Sequence, residues 1–221
     1  MLFVIDLRIR LKEHVVRVVA IDLEGTGAQD GEHEDLLEIA LVPLHADGTP
    51  GVTQAWSSLL HPQRPIPHKP WISPGITDAA VRNAPFLEQV SGDIRRLVDG
   101  AHLVGHNVRV DWGLLSRKVP ELRPAGLLDT LRLARTHRGN SGNSLNALVD
   151  HYGLGASIVA HVPNGRPHRA LWDAVACALL LARLAADMGL DSFKRVRHAA
   201  AITAPGVTSG SAVMDQPGLF D

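Results

Sequence analysis

Between Val15 and Gly27 the chain reads VVRVVAIDLEGTG, a run of β-branched and small apolar residues that stops at two carboxylates one residue apart. Apolar residues at successive positions predict a strand covered on both faces, and hence one near the middle of its sheet. Side chains alternate along such a strand, so Asp22 and Glu24 project to one side and Leu23 to the other. Two carboxylates in one small volume repel each other. Burying them unpaired costs several kcal/mol, so the pair calls for a cation or a proton. All-oxygen donors suit hard ions such as Mg2+ or Mn2+. Gly25-Thr26-Gly27 ends the strand and leaves open backbone beside the acids, where a substrate can approach. Alone, an Asp-x-Glu is more often a solvated strand end, and further acids elsewhere in the chain are needed to make a site.

The 221 residues suffice for one sizeable core with short extensions. Three segments are expected: an N-terminal extension over 1–14, a domain over 15–198, and a flexible tail over 199–221 rich in small residues. A net charge of -1 gives no global basic signature, so any nucleic-acid contact must use local patches and bound cations. The single cysteine, Cys177, cannot form an internal disulfide, which makes a reducing cytoplasm the expected location. The Ala-rich stretch near Ala174 to Ala186 is interrupted by Arg183 and reads as a core helix, not a membrane span. The first residues alternate in a way that suggests an extra strand and lack a signal-peptide layout.

After the opening strand, Leu36 to Leu44 and Val52 to Leu60 read as two more strands with short connections, an antiparallel meander. The Pro-rich stretch His61 to Pro74 is a loop, and Thr77 caps a short helix running to about Asn83. Phe86 to Val98 is an amphipathic helix. Alternation of strand and helix follows, the signature of parallel pairing: strand 101–105, helix 111–119, strand 126–128, a helix capped by Asp129, a helix capped by Ser144, and a long helix 169–188. The expectation is a mixed α/β sheet with its first strand near the middle.

Two later stretches supply the missing acids. His106-Asn107-Val108-Arg109-Val110-Asp111 follows a buried strand, where ligand sites gather in open α/β sheets, although Asp111 alone is readable as a helix N-cap. In Pro167-His168-Arg169-Ala170-Leu171-Trp172-Asp173, His168 falls in a lead-in loop and Asp173 one turn into the helix on its apolar face. An acid there needs a partner, and a cation shared with Asp22 and Glu24 supplies one.

This ordered set resembles the three exonuclease motifs of the DEDDh branch of the DnaQ-like 3′-5′ exonucleases, from Val18 to about Met188. The forms DLEGTG, HNVRVDWGLL and HRALWDAVACALLL look like those of the proofreading epsilon subunits of bacterial DNA polymerase III, with Asp129-Thr130-Leu131 and Asn143-Ser144-Leu145 in the expected places. The resemblance implies a ribonuclease H-like, mixed five-stranded sheet flanked by helices: a three-strand antiparallel meander plus parallel strands. It implies that Asp22, Glu24, Asp111 and Asp173 hold two divalent cations, Mg2+ or Mn2+, and that His168 is the general base. Leu23, Gly25, Thr26, His106 and Asn107 are then expected against the substrate. Where epsilon-like members carry Thr-Glu-Thr-Thr, this chain has Leu23-Glu24-Gly25-Thr26, and Asp-Leu-Glu-x-Thr-Gly is similar to oligoribonuclease. DNA 3′ ends are the expected substrate, with RNA the rival and a catalytically silent polymerase- or clamp-binding adaptor the rival of another class.

Other residues carry weaker signals. Trp71 and Ile76 read either as base-stacking groups or as buried loop anchors. Arg132, Arg135 and Arg138 fall on one helix flank and read as phosphate contacts or as a solvated face. His61, His102 and His151 are expected to be structural or exposed. The chain ends Gln216-Pro217-Gly218-Leu219-Phe220-Asp221, which resembles the peptide by which bacterial replication proteins dock on the sliding clamp. Gln216, Leu219 and Phe220 are its expected contacts, and a replicative polymerase subunit is a further expected partner.

Overall fold

The computed structural model describes residues 16–27 and 34–207; the expected extra strand within 1–14 and the clamp-like peptide lie outside them. Among the described residues six strands form one mixed sheet, β1 (Val18–Gly25), β2 (Leu36–Pro43), β3 (Trp56–Leu59), β4 (His102–Gly105), β5 (Gly126–Asp129) and β6 (Ala201–Ile202), in the order β3-β2-β1-β4-β5-β6. The β1-β2-β3 meander is antiparallel, and β1, β4 and β5 are parallel.

Alternation along β1 sorts the core into two layers. Val18 and Ala20 join Ala40, Val42, Val104 and Leu128 beneath α7 (Ala170–Asp187), while Val19 and Ile21 join Ile39, Leu41, Leu103 and Leu127 beneath α2 (Leu87–Val98) and α3 (Val108–Lys118). A strand packed by helices on both faces must be apolar at every position, which is why β1 carries no solvent-facing stripe. Its pattern breaks only at Asp22, where the helical cover gives way to the site.

Several local boundaries differ from expectation. Val52–Gln54 is a 3-10 turn, and β3 starts only at Trp56. The short helix after the Pro-rich loop is α1 (Asp78–Val81), with Thr77 Oγ1 accepting from Ala80 N at 3.2 Å. α3 begins at Val108, not at Asp111, because Asn107 takes the left-handed conformation (φ 66°) and serves as its N-cap. Asp111 is thus a first-turn residue and not a cap. Asp129 and Ser144 cap α4 (Thr130–Arg138) and α5 (Leu145–His151) as their sequences predict. α6 (Gly155–His161) and α8 (Phe193–Ala200) have no counterpart in the sequence reading.

The segment 199–207 departs most from its expectation as part of a tail. Ala201–Ile202 adds a sixth strand antiparallel to β5, and Trp112 Nε1 donates to Pro205 O at 2.8 Å. Ile202, Ala204 and Val207 pack against the second core layer. Small residues suffice here because the large surface comes from Trp112, not from the segment itself. No helix among the described residues is long and apolar enough to cross a membrane.

Candidate active site

β1 presents Asp22 and Glu24 on the face that α7 covers, and α7 brings Asp173 to them from its first turn. One carboxylate oxygen from each of the three lies within 4.8 Å of the others. Asp111 comes from α3. The parallel pairing of β1 with β4 stops at Ala20, and beyond it Asp111 Oδ1 accepts from Leu23 N at 3.1 Å. The four acids expected from the sequence are therefore gathered at the end of one strand from three separate motifs.

The electrostatics are those of a cluster short of positive charge. Burial, then Asp111, Asp173 and the neighbouring glutamates, holds the Asp22 carboxyl well above the usual carboxylate range. Burial pushes Asp111 up to about 7, against the opposing hydrogen bond from Leu23 N. Burial and then Glu24 push Asp173 up to about 7 as well. Glu24 is also raised, chiefly by burial, while the Ser73 hydroxyl that donates to its Oε2 works in the other direction. Buried oxygen donors that repel one another fit a hard divalent cation, which replaces the repulsion by attraction without any thiolate or imidazole ligand.

His168 precedes α7 in the left-handed conformation (φ 62°), and its Nε2 stands 3.4 Å from Asn146 Nδ2. Of the residues expected against the substrate, Leu23 is half-buried, while Thr26 is buried with its Oγ1 accepting from Asp35 N at 2.9 Å. Gly27 has φ +69°, and a β-carbon on it would lie 2.7 Å from Trp71 Nε1, so a side chain there would both strain the backbone and displace the indole. Trp71 Nε1 donates to Thr26 O at 2.9 Å and leaves the ring 44% exposed beside this turn. Ile76 is instead a buried anchor, packed with Leu37, Ile66 and Val81.

His106 is engaged within the chain at both ring nitrogens. Nε2 lies 2.7 Å from Asn143 O, and Nδ1 lies 2.9 Å from Thr130 Oγ1. A carbonyl only accepts, so Nε2 carries the proton, and burial favours the neutral ring; the one Thr130 hydroxyl proton lies between Nδ1 and Gly105 O, the latter 3.1 Å away. Asn107 is exposed, with its backbone N donating to Asp129 Oδ1 at 2.8 Å. The arginine flank on α4 divides: Arg132 Nε donates to Ala199 O at 3.0 Å and ties down α8, while Arg138 lies over the Tyr152 ring. His102 packs against Phe193 at 4.9 Å, and burial lowers its pKa to about 4.

Sequence reasoning missed Glu38, Ser73 and Arg169. Glu38 lies directly opposite Glu24 in the β1-β2 register and forms a forked ion pair with Arg169. Its signal was an acid inside LLEIALVP, an otherwise apolar strand. Ser73 gave none, since its partner is 49 positions away.

A mixed sheet in this order, with acids gathered at the end of its central strand from β1, α3 and α7, defines a ribonuclease H-like nuclease fold. The chain belongs to the RNase_T exonuclease family, whose model matches residues 19–181. It is 32% identical over 170 residues to a DNA polymerase III subunit epsilon-like protein of Rhodobacter capsulatus, a match covering 75% of this chain and 23% of that protein. It spans less than a quarter of the length of the curated relatives it matches. Exonuclease X, solved in complex with 5′ overhanging duplex DNA, is 30% identical with a TM-score of 0.61, covering 79% of this chain and 93% of that one. The nuclease domain of 3′hExo, a DEDDh family member bound to rAMP, shares the fold at 18% identity and a TM-score of 0.58, covering 79% and 94%. Exonucleases of this family use divalent metal ions, and the acidic cluster here has the donors for them.

Proposed function

We propose that the chain removes nucleotides one at a time from the 3′ end of single-stranded or frayed DNA, releasing nucleoside 5′-monophosphates in proofreading or repair. The observation that carries this is the meeting of Asp22, Glu24 and Asp173 within 4.8 Å, with Asp111 braced on the same strand end. In this reading Asp22, Glu24, Asp111 and Asp173 hold two divalent cations, Mg2+ or Mn2+. When bound, such ions act as Lewis acids toward the phosphate and the attacking water and stabilise the leaving oxygen. His168 takes the proton of that water at Nε2. Asn146 Nδ2, 3.4 Å from Nε2, is placed to orient the ring for this role. Leu23, Gly25 and Thr26 line the terminal sugar, and the exposed face of Trp71 stacks on a base. Asn107 faces the substrate with its side chain, and His106 acts one step back, by fixing the Asn143 loop.

The likeness to an epsilon-like protein and to an exonuclease solved with DNA supports DNA as substrate; Asp-Leu-Glu-x-Thr-Gly supports RNA. Digestion of matched 3′-labelled DNA and RNA oligonucleotides with Mg2+, Mn2+ or EDTA separates them. The expected result is shortening of DNA from its 3′ end that EDTA abolishes. Faster digestion of RNA would transfer the reading to RNA, and activity that survives EDTA would sink the metal-dependent mechanism. Digestion of neither would leave an adaptor.

Gln216, Leu219 and Phe220 are proposed to dock on a sliding clamp as an extended peptide whose apolar pair fills a pocket. Clamp retained on the immobilised full chain and lost on removal of residues 216–221 is the expected pull-down result; equal retention overturns it.

A further inference from the structure

Among the described residues, Glu38 joins Asp22, Glu24, Asp111 and Asp173 near the end of β1. Glu38 is buried and directly opposite Glu24, and its charge adds to the repulsion on Asp22, Glu24 and Asp173. Like charges facing each other across a strand pair are destabilising. Arg169 answers this charge: its Nε donates to Glu38 Oε2 at 2.8 Å and its Nη2 to Oε1 at 2.7 Å. Two parallel bonds fix the planes of both groups, which a single ammonium contact cannot do. Ala170 N, the first amide of α7, adds a 3.2 Å bond to Oε2, so Glu38 also satisfies a helix-end N–H and sits at the positive end of the helix dipole.

Arg169 is the N-cap of α7, the helix that carries Asp173, and it directly follows His168. A residue with a β-carbon in the left-handed region persists only where its surroundings over-determine it. Fastening residue 169 to β2 does this from one side. Arg166 Nη2, donating to Pro74 O at 2.6 Å, does it from the other. We infer that the Glu38–Arg169 pair is a positioning device that holds the His168 turn and the start of α7 in register with Asp22 and Glu24. Its activity arm rests on the exonuclease reading above; its spectroscopic arm does not.

The test uses the full chain with Arg169→Lys, which keeps the charge and loses the fork, and Glu38→Gln, which keeps the shape and loses the charge. A misplacement of a catalytic group by about 1 Å costs roughly a hundredfold in rate. Arg169→Lys is therefore expected to lower kcat roughly ten- to a hundredfold with KM changed less than about threefold, and Glu38→Gln in the same direction. In metal-free protein the His168 ring signal in proton-carbon spectra, assigned with His168→Asn, is expected to shift or broaden in both variants. An unchanged His168 signal overturns the inference whatever happens to kcat, as does a kcat loss that follows the unfolded fraction measured by thermal melting. Should the unaltered chain digest neither DNA nor RNA, the exonuclease reading fails while the ring signal still decides the positioning role. Arg169→Lys is the mild change that remains available if Glu38→Gln does not fold.

Discussion

Asp22→Asn is expected to cut 3′ digestion at least roughly a thousandfold while making the metal-free protein more stable. The first effect follows from the loss of a proposed cation ligand at the centre of the cluster, where electrostatic stabilisation of the transition state would be concentrated. The second follows from the carboxylates themselves. Asp111 and Asp173 titrate at about 7 in the folded chain, against about 4 in an unfolded one. The folded state therefore binds more protons than the unfolded state between those values. Stability from these groups is fully present below pH ~4 and is lost as the pH rises to about 7. Asp22, held up by burial and then by repulsion from Asp111 and Asp173, carries the same cost, and a neutral amide in its place removes it. A gain of about 1–3 kcal/mol at pH 7.5 in EDTA is expected, or roughly 3–10 °C in melting temperature for a chain of this size. Added Mg2+ or Mn2+ is expected to raise the melting temperature of the unaltered chain and to do little for the variant. Melting curves with and without metal at pH 5 and 7.5 check this; an Asp22→Asn protein that is active, or less stable at pH 7.5, refutes the site.

His168→Ala is expected to lower kcat by about a hundred- to ten-thousandfold, the span that general-base catalysis supplies, with metal-induced stabilisation unchanged. The two effects separate because His168 lies outside the carboxylate trio and is not among the four proposed cation ligands. Without the imidazole the attacking water loses its proton acceptor. Asn146→Ala, which removes the donor 3.4 Å from Nε2, is expected to lower kcat by a smaller factor. Single-turnover rates provide the measurement, and a His168→Ala enzyme with an unaltered rate excludes the base role.

What the sequence made legible was whatever depends on local pattern. The two-faced burial of β1, the common face of Asp22 and Glu24, and the caps at Thr77, Asp129 and Ser144 all follow from alternation and side-chain hydrogen bonding over a few residues. The gathering of Asp111 and Asp173 was readable through resemblance, since no local rule brings residues 89 and 151 positions from Asp22 to one place. Contacts formed only by the completed fold were not readable. Residues 201–207 lack large side chains and fold because Trp112 awaits them. Ser73 reaches Glu24 across a loop whose path no pattern dictates. His106 looked like a substrate contact because it precedes the acid of its motif, yet its nitrogens are spent on Thr130 and Asn143.

Among the described residues the two outer strands of the sheet, β3 with four residues and β6 with two, offer few unpaired backbone groups on either side. A long flat border would recruit strands from other chains; one this short, and closed on the β5 side by a segment bound to Trp112, gives an incoming strand too little to grip. The seven residues past α8, 201–207, thus cover the border of β5 as well as extend the domain.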